Sequence, residues 1–339
     1  MQSLLANARS RMADRPKAPS PMGQANIIII GCGGAGNNTV DRLMKVGIKG
    51  AQTIAINTDQ VHLDVVKANK KLLIGRNTTR GLGAGGVPEV GREAAEESRH
   101  ELDMILKGAD LVFITCGEGG GTGTGSAPVV AEIAKLNGAL TVGVVTMPFK
   151  IEKGRMNRAK DGLNALREFV DTLVVIDNNR LMEIAPDLPI EEAFSVADEV
   201  LATMVKGITE TVSMPSLINL DIADIKTILS TGGVAIVGIG ESNAPGIRVE
   251  EAIQNALQSP LLEVDITGAT GALIHVTGGR DMTLEEANRV GEKITESMDP
   301  DALVIWGARV DPSPHFAGYL RVMLLITGIK SQQIMGPTG

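Results

Sequence analysis

The chain has 339 residues, 43% of them hydrophobic, and a formal net charge of −8; this gives length for two globular domains and excludes a general nucleic-acid binder. No apolar run approaches the roughly 18 residues of a transmembrane segment, and the N-terminus has no apolar core of signal-peptide type. Cys32 and Cys116 are the only cysteines; they make neither a disulfide framework nor a zinc site, and a reducing cytoplasm fits them.

Residues 1–25 form a basic arm, with Arg9, Arg11, Arg15 and Lys17 against Asp14. It reads as a flexible tail, or as a short helix around Leu4-Leu5-Ala8 that docks on a partner or an acidic surface. Asn26–Ile30 is a strand. Gly31-Cys32-Gly33-Gly34-Ala35-Gly36-Asn37-Asn38 follows, then a helix from Thr39 to Val46. This fits the G-x-G-x-x-G turn of a dinucleotide site. A second strand, Thr53–Asn57, ends near Asp59, where a ribose contact would need an acid. A nicotinamide oxidoreductase is therefore one reading. A short strand, Leu72–Ile74, leads into a second glycine segment, Thr79–Gly86, and a helix from Pro88 to Leu106.

Leu111–Cys116 is a buried strand. The Gly/Thr run Gly117–Ser126 follows it, and Ala127–Ala134 reads as a helix with Pro128 in its first turn. Strand, glycine loop and helix N-terminus make an anion site: glycines let backbone N–H groups approach oxygens, and the helix end adds partial positive charge. No Lys-Ser or Lys-Thr follows, so this is not the P-loop of common NTPases. A dinucleotide needs one glycine loop. Three loops after three strands favour a longer phosphate chain, that of a nucleoside triphosphate, because strand ends of an open α/β sheet share one edge.

Thr141–Thr146 and Leu173–Ile176 are further strands. Between them Glu152, Arg155 and Arg158 lie in a polar loop and helix start, as ligand contacts or as a solvated face. The second strand runs into Asp177-Asn178-Asn179-Arg180. The alternation predicts an α/β fold: a doubly wound, mostly parallel sheet domain over 26–188. Residues 189–214 hold a long central helix, Ile190–Ser213, with apolar residues at helical spacing. Asp221 and Asp224, three apart at the next helix start, can share one face, or can complement a helix dipole. Residues 215–330 read as a smaller α+β domain. Its strands are Val234–Gly240, Leu261–Ile266, Gly271–Val276, Leu303–Val310 and Leu320–Thr327. Its helices are Val249–Gln258 and Leu284–Ser297, the latter opened by a Thr283 capping box. His275 and Trp306 read as packing residues, and 331–339 as a short tail.

Three motifs, GCGGAGNN at 31–38, GGGTGTGSAP at 119–128 and NLDIADIK at 219–226, carry a resemblance over about residues 26–330. The chain resembles the tubulin/FtsZ superfamily, and within it the prokaryotic cell-division GTPases; the wording GCGGAGNNTV and GATGALIHV suggests archaeal members. The resemblance implies a guanine nucleotide, GTP or GDP. Gly33, Gly34, Ala35, Gly36, Asn37 and Asn38, with Gly119, Gly120, Gly121, Thr122, Gly123, Thr124 and Gly125, would hold phosphates. Ala84, Gly85 and Gly86 would lie near the γ-phosphate. Glu152, Arg155 and Asn178 would approach ribose or base. The stretch from Glu152 is one residue shorter than the family pattern, which leaves Arg155 and Arg158 both open. Phe194 would stack on guanine and Asp198 would accept from its N1 and N2 hydrogens. Asp221, Asp224 and Asn219 would position water. Mg²⁺ would be held mainly through phosphates and water, with no dedicated protein ligand. The implied partner is the chain itself, in a head-to-tail polymer at a mid-cell division ring in the cytoplasm, with membrane-tethering or division proteins besides.

If Asp198 touches the base, Asp221 lies about 20 helical residues away, on the order of 30 Å. The acids then reach a γ-phosphate only in the next subunit, a heterologous contact that need not close. A non-hydrolysing structural homologue is the remaining alternative, and the presence of both Asp221 and Asp224 counts against it.

Overall fold

The computed structural model describes residues 25–180, 187, 189–213, 222–230, 233–259, 269–296 and 298–328. The basic arm to Gln24, Asn219, Asp221, the expected strand Leu261–Ile266 and the tail lie outside the described residues.

In chain order, the first half holds β1 (Ile27–Cys32), α1 (Gly33–Val46), β2 (Ala51–Asn57), α2 (Gln60–Val65), β3 (Lys70–Leu73), α3 (Pro88–Glu97) and α4 (Arg99–Leu106). It continues with β4 (Leu111–Gly117), α5 (Thr122–Leu136), β5 (Leu140–Met147), α6 (Lys153–Arg167) and β6 (Thr172–Asp177). The second half holds α7 (Ile190–Ser213), α8 (Ile222–Ser230), β7 (Gly233–Ser242), α9 (Arg248–Leu257), β8 (Gly271–Gly278), α10 (Leu284–Thr295), β9 (Leu303–Val310) and β10 (Leu320–Thr327).

β1 to β6 pair in parallel, in the order β3-β2-β1-β4-β5-β6. β1, Ile27-Ile28-Ile29-Ile30-Gly31-Cys32, is buried along its whole length, as a central parallel strand covered on both faces must be. One face carries α3, α4, α5 and α6 over Ile28, Ile30, Ile54, Val112 and Ile114. The other carries α1, α7 and α8 over Ile27, Ile29, Phe113, Val142 and Val144.

The sheet does not stop at the long helix. β7 pairs with β6 through Thr172↔Gly233, Leu173↔Val234 and Val174↔Ala235, then continues against β10, β8 and β9. The result is one ten-stranded sheet. α7 packs along it with Leu201, Met204, Val205 and Ile208, at helical spacing and 0–1% exposed. Its core also takes in Val237 of β7, Leu273 of β8 and Met323 of β10. The central helix is therefore a beam shared by both halves. α9 and α10 cover the far face of β7–β10, and α10 opens with the expected Thr283–Glu286 capping box.

The expected single helix over Pro88–Leu106 is two. Ser98 breaks it with φ −99° and ψ 16°, and its Oγ accepts from Gly75 N–H at 3.1 Å; a serine engaged by a neighbouring loop leaves the helical ladder readily. His275 is buried on β8, and burial lowers its pKa to about 4. It and half-buried Trp306 pack within the second half, as expected.

Glu210 near the end of α7 forms an ion pair with Arg309 of β9, their side chains 3% and 16% exposed. Removing one partner strands a buried charge. We expect Glu210→Ala to lower the unfolding free energy by about 3 kcal/mol in urea titrations; a loss below about 1 kcal/mol would mean that the pair behaves like a solvated surface pair.

Candidate functional site

The glycine segments are less loop and more helix than the sequence suggests. β1 ends at Cys32 and α1 begins at Gly33, so Gly33–Asn38 are its opening turns. β4 ends at Gly117 and α5 begins at Thr122, which leaves only Glu118–Gly121 as a turn. Ser126 Oγ donates to the Thr122 carbonyl at 2.6 Å, and Gly119 N–H donates to Thr124 Oγ1 at 2.9 Å. These hydroxyl bonds hold the threonine-rich first turn in helical form. Cys32 and Cys116 are register partners, so both helix N-termini open at the same sheet edge, between β1 and β4. There the strand order reverses, which is the crevice position of doubly wound folds. The first N–H groups of each helix lack intrahelical acceptors and suit an anion.

The third glycine segment comes to the same place. A Cβ on Gly121 would stand 2.8 Å from Val87 N and 2.9 Å from Ala84 Cβ, so the Ala84–Val87 turn closes directly over the loop. A side chain at Gly125 would collide with the Pro88 carbonyl, because α3 packs on α5 there.

Two adjoining hollows occupy this edge. One of about 300 Å³ is lined by Gly34, Ala35, Gly120–Gly123, Glu152 and Arg155. One of about 600 Å³ is lined by Asn38, Asp41, Arg42, Lys45, His62, Ser195 and Asp198. Gly34, Ala35, Thr146 and Asn178 line both. The smaller hollow presents amides and hydroxyls; the larger presents polar and charged side chains of α1 and α7. Chemically the smaller hollow suits an anion such as a phosphate, and the larger, joined to it, has room for a base.

The expected residues divide accordingly. Gly34, Ala35, Asn38, Gly120, Gly121, Thr122, Gly123, Glu152, Arg155, Asn178 and Asp198 line the hollows. Gly33, Gly36, Asn37, Thr124 and Gly125 are buried beneath them. Asn37 Nδ2 donates to the Ile56 carbonyl at 3.1 Å and ties α1 to β2. Ala84, Gly85 and Gly86 roof the loop without lining either hollow. Arg155 pairs with Glu152 at 2.7 Å. Arg158 instead donates to the carbonyls of Gly86 and Gly154 and faces the flank between α3, α5 and α6. Phe194 belongs to α7, and its side chain lies outside the described set. Asp224 is exposed on α8, beyond the far end of α7.

Sequence reasoning missed Asp41, Arg42, Lys45, His62, Thr146 and Ser195. Asn38, Asp41, Arg42 and Lys45 recur at helical spacing on α1, a signal that was readable. His62 and Thr146 arrive from separate elements and had no local signal. Asp59, the acid in place for a ribose, caps α2 by accepting from His62 N–H at 3.1 Å. The nicotinamide reading loses its chief contact.

Burial displaces several pKa values at this edge. Burial raises Asp198 to about 6, against the pull of the Thr39 hydroxyl, which donates to its Oδ1 at 3.0 Å. Burial pushes the Cys32 thiol up to about 12. Burial raises Glu118, 4% exposed under the glycine turn, to about 7, with the Thr124 hydroxyl and Cys116 thiol pulling the other way. A carboxyl whose folded pKa exceeds its unfolded value stabilises the fold as the acid. That stability is complete below the ordinary value and is lost as pH rises through about 7. Glu118→Gln should therefore raise the nucleotide-free unfolding free energy at pH 8 by on the order of 3 kcal/mol, and by less than about 1 kcal/mol at pH 5. Equal gains at both pH values in urea titrations would show that the carboxyl does not titrate there.

Comparison with known proteins agrees with this geometry. Residues 26–186 match the model of the Tubulin/FtsZ family, GTPase domain, and residues 233–330 that of the FtsZ family, C-terminal domain. The chain is 57% identical to "Cell division protein FtsZ 2" of Methanocaldococcus jannaschii over 99% of its own length and 88% of that protein. It is 55% identical to "Cell division protein FtsZ 1" of the same organism, over 93% and 86%. A solved structure of the empty FtsZ dimer of M. jannaschii superposes with a TM-score of 0.87 at 52% identity, covering 96% of this chain and 93% of that one. The chain belongs to the Tubulin/FtsZ family, with that family's GTPase domain ahead of an FtsZ C-terminal domain.

Proposed function

We propose that the chain is a cell-division GTPase that polymerises head to tail, binds GTP at the paired hollows, and hydrolyses it only where a neighbouring subunit supplies Asp221 and Asp224. We read residues 26–188 as the nucleotide domain, 189–214 as the central helix and 215–330 as the second domain, working in the cytoplasm at the division site.

One observation supports this reading: among the described residues, the smaller hollow presents donors and no carboxylate placed to act on water. Glu118 is buried beneath the turn, and Glu152 is engaged by Arg155 and by Phe149 N–H at 3.1 Å. Asp224 follows α7 in the chain, and about 23 Å of that helix lies between Asp198 and Ser213. On this reading a γ-phosphate seated here takes its carboxylate from outside the chain. A head-to-tail neighbour meets that need, with Asn219 helping to orient the water.

The amides of the two helix starts would hold the phosphates and stabilise charge on the phosphoryl oxygens, the main work of a phosphoryl-transfer site. The described residues contain no group of three or more His, Cys, Asp or Glu side chains suited to a metal. Their hydroxyls and amides fit a Mg²⁺ held through phosphate oxygens and water, which would neutralise phosphate charge. No described helix is long and apolar enough to cross a membrane; membrane-tethering or division proteins belong to the same reading.

Asp198 supplies base selectivity: a carboxylate accepts from guanine N1 and N2 hydrogens and finds no such pair on adenine. Its proton must be absent, so acid weakens binding. The part of GTP affinity that Asp198 supplies should fall about ten-fold or more between pH 7.5 and pH 5, with the midpoint near 6. Asp198→Asn should show that loss at every pH; an unchanged profile in equilibrium binding would remove Asp198 from the base.

The decisive measurement is GTPase rate per subunit against protein concentration, with pelleting alongside. Turnover that appears only with sedimenting polymer, and is lost in Asp221→Ala or Asp224→Ala proteins that still bind GTP and pellet, supports the shared site. A constant rate per subunit in monomer would refute it.

A further inference from the structure

The Glu118 carboxyl occupies a place that the proposed mechanism does not use. It sits in the floor of the smaller hollow, on the turn whose next residues expose their backbone to the hollow. Its backbone N–H donates to the Thr146 carbonyl at 2.9 Å, so the residue is pinned to β5. Its Oε1 accepts from the Cys116 thiol at 3.5 Å, while Oε2 is fully buried without a partner among the described residues. A methyl group on Gly162 of α6 would collide with Oε2 and with Thr124 Cγ2. The carboxyl is thus clamped between β4, α5 and α6, beside Gly120 and Gly121 in the lining of the smaller hollow.

Such a place treats the two protonation states unequally. An ionised carboxylate this deeply buried, with Oε2 lacking a hydrogen-bond partner among the described residues, is unfavourable even with the Thr124 hydroxyl and the Cys116 thiol drawing on it. Seating a second anion across a single glycine turn adds like-charge repulsion. The charges nearby do not relieve it. Arg155 on α6 is paired with Glu152, and Arg158 is spent on the carbonyls of Gly86 and Gly154. Asp161, also on α6, is acidic. Cys116 on β4 and Cys32 on β1 are thiols held neutral by burial. α5 contributes hydroxyls from Thr124 and Ser126.

We propose that Glu118 is a proton-linked positioning residue of the phosphate site: its acid form is the one that accepts a nucleoside polyphosphate, so nucleotide binding takes up a proton from solvent. The inference rests on the reading of the hollows as a GTP site and adds a regulation that this reading does not contain. Affinity then depends on cytoplasmic pH near neutrality, with alkalinisation weakening nucleotide retention and, through it, assembly. The carboxyl of free protein titrates at about 7, which places the response in a physiological range.

The test is calorimetric titration of the full chain, below its polymerisation threshold, with a non-hydrolysable GTP analogue at pH 7.5. It is repeated in two buffers of different ionisation enthalpy, for wild type, Glu118→Gln and Glu118→Met. Both variants are neutral at this position, so either one that folds serves as the reference and cancels the nucleotide's own titration. If binding raises the Glu118 pKa by about one unit, wild type takes up about half a proton more than the reference. Its dissociation constant should rise about five-fold relative to the reference between pH 6.5 and pH 8.5. A residue that merely fills space would move neither quantity. Equal proton uptake in wild type and reference overturns the role of Glu118 and leaves the GTP site standing. Absence of guanine-nucleotide binding at any pH overturns both.

Discussion

The constraint on which the rest depends is the meeting of two helix N-termini at one point of a parallel sheet. α1 leaves β1, α5 leaves β4, and the strands are neighbours with Cys32 opposite Cys116. Unpaired N–H groups from both helices therefore face one hollow. The backbone can serve as the ligand surface only if nothing stands between it and the anion, which is why glycine recurs from Gly31 to Gly36 and from Gly117 to Gly125. The same demand brings in the Ala84–Val87 turn, which closes on Gly121 with no room for a Cβ. Burial on both faces of β1 and β4 follows, because a strand whose end must be rigid cannot be at an edge.

A second constraint is length. The base-sized hollow takes Ser195 and Asp198 from the start of α7, while Ile208 and Glu210, near its end, pack against the second half of the sheet. One helix therefore touches both the larger hollow and the core under the second half of the sheet. α7 packs on one continuous sheet, sharing a single core with β1, β4 to β8 and β10. On the proposed reading, assembly and nucleotide state have this element in common.

Most of the fold was legible because its signals are local. Strands such as Leu303–Val310 and Leu320–Thr327 occur where the pattern places them, and so does Ile190–Ser213. The glycine runs were legible as phosphate chemistry but misread as loops. Glycine and threonine have low helix propensity, and tertiary contacts outweigh that: Ser126 and Thr124 bond within the first turn, and α3 presses on Gly125. Sheet continuity across β6 and β7 was invisible because only three residue pairs make it. In the site, Asp198 was legible only through resemblance, and His62 and Thr146 not at all, since they reach the hollow from separate elements. Glu118 was hidden for another reason. A glutamate among glycines reads as solvent-facing, and only packing by α6 reveals that it is enclosed.

The two buried carboxyls of the site make opposite demands on the proton. On the proposed reading Asp198 is ionised to accept from a guanine edge, and its burial sets that requirement near 6. Glu118 favours a polyphosphate when protonated, and its burial sets that near 7. Each is displaced upward by the same cause, desolvation, but one faces donors and the other faces an anion. The species suited to GTP is then ionised at Asp198 and protonated at Glu118, and it is most populated between these two values. A ligand that ties both ends of the site to their proper states widens the interval, because base contact lowers the Asp198 pKa while phosphate raises that of Glu118. Nucleotide binding on this account reports pH from both sides, and a polymer that depends on bound GTP inherits that response.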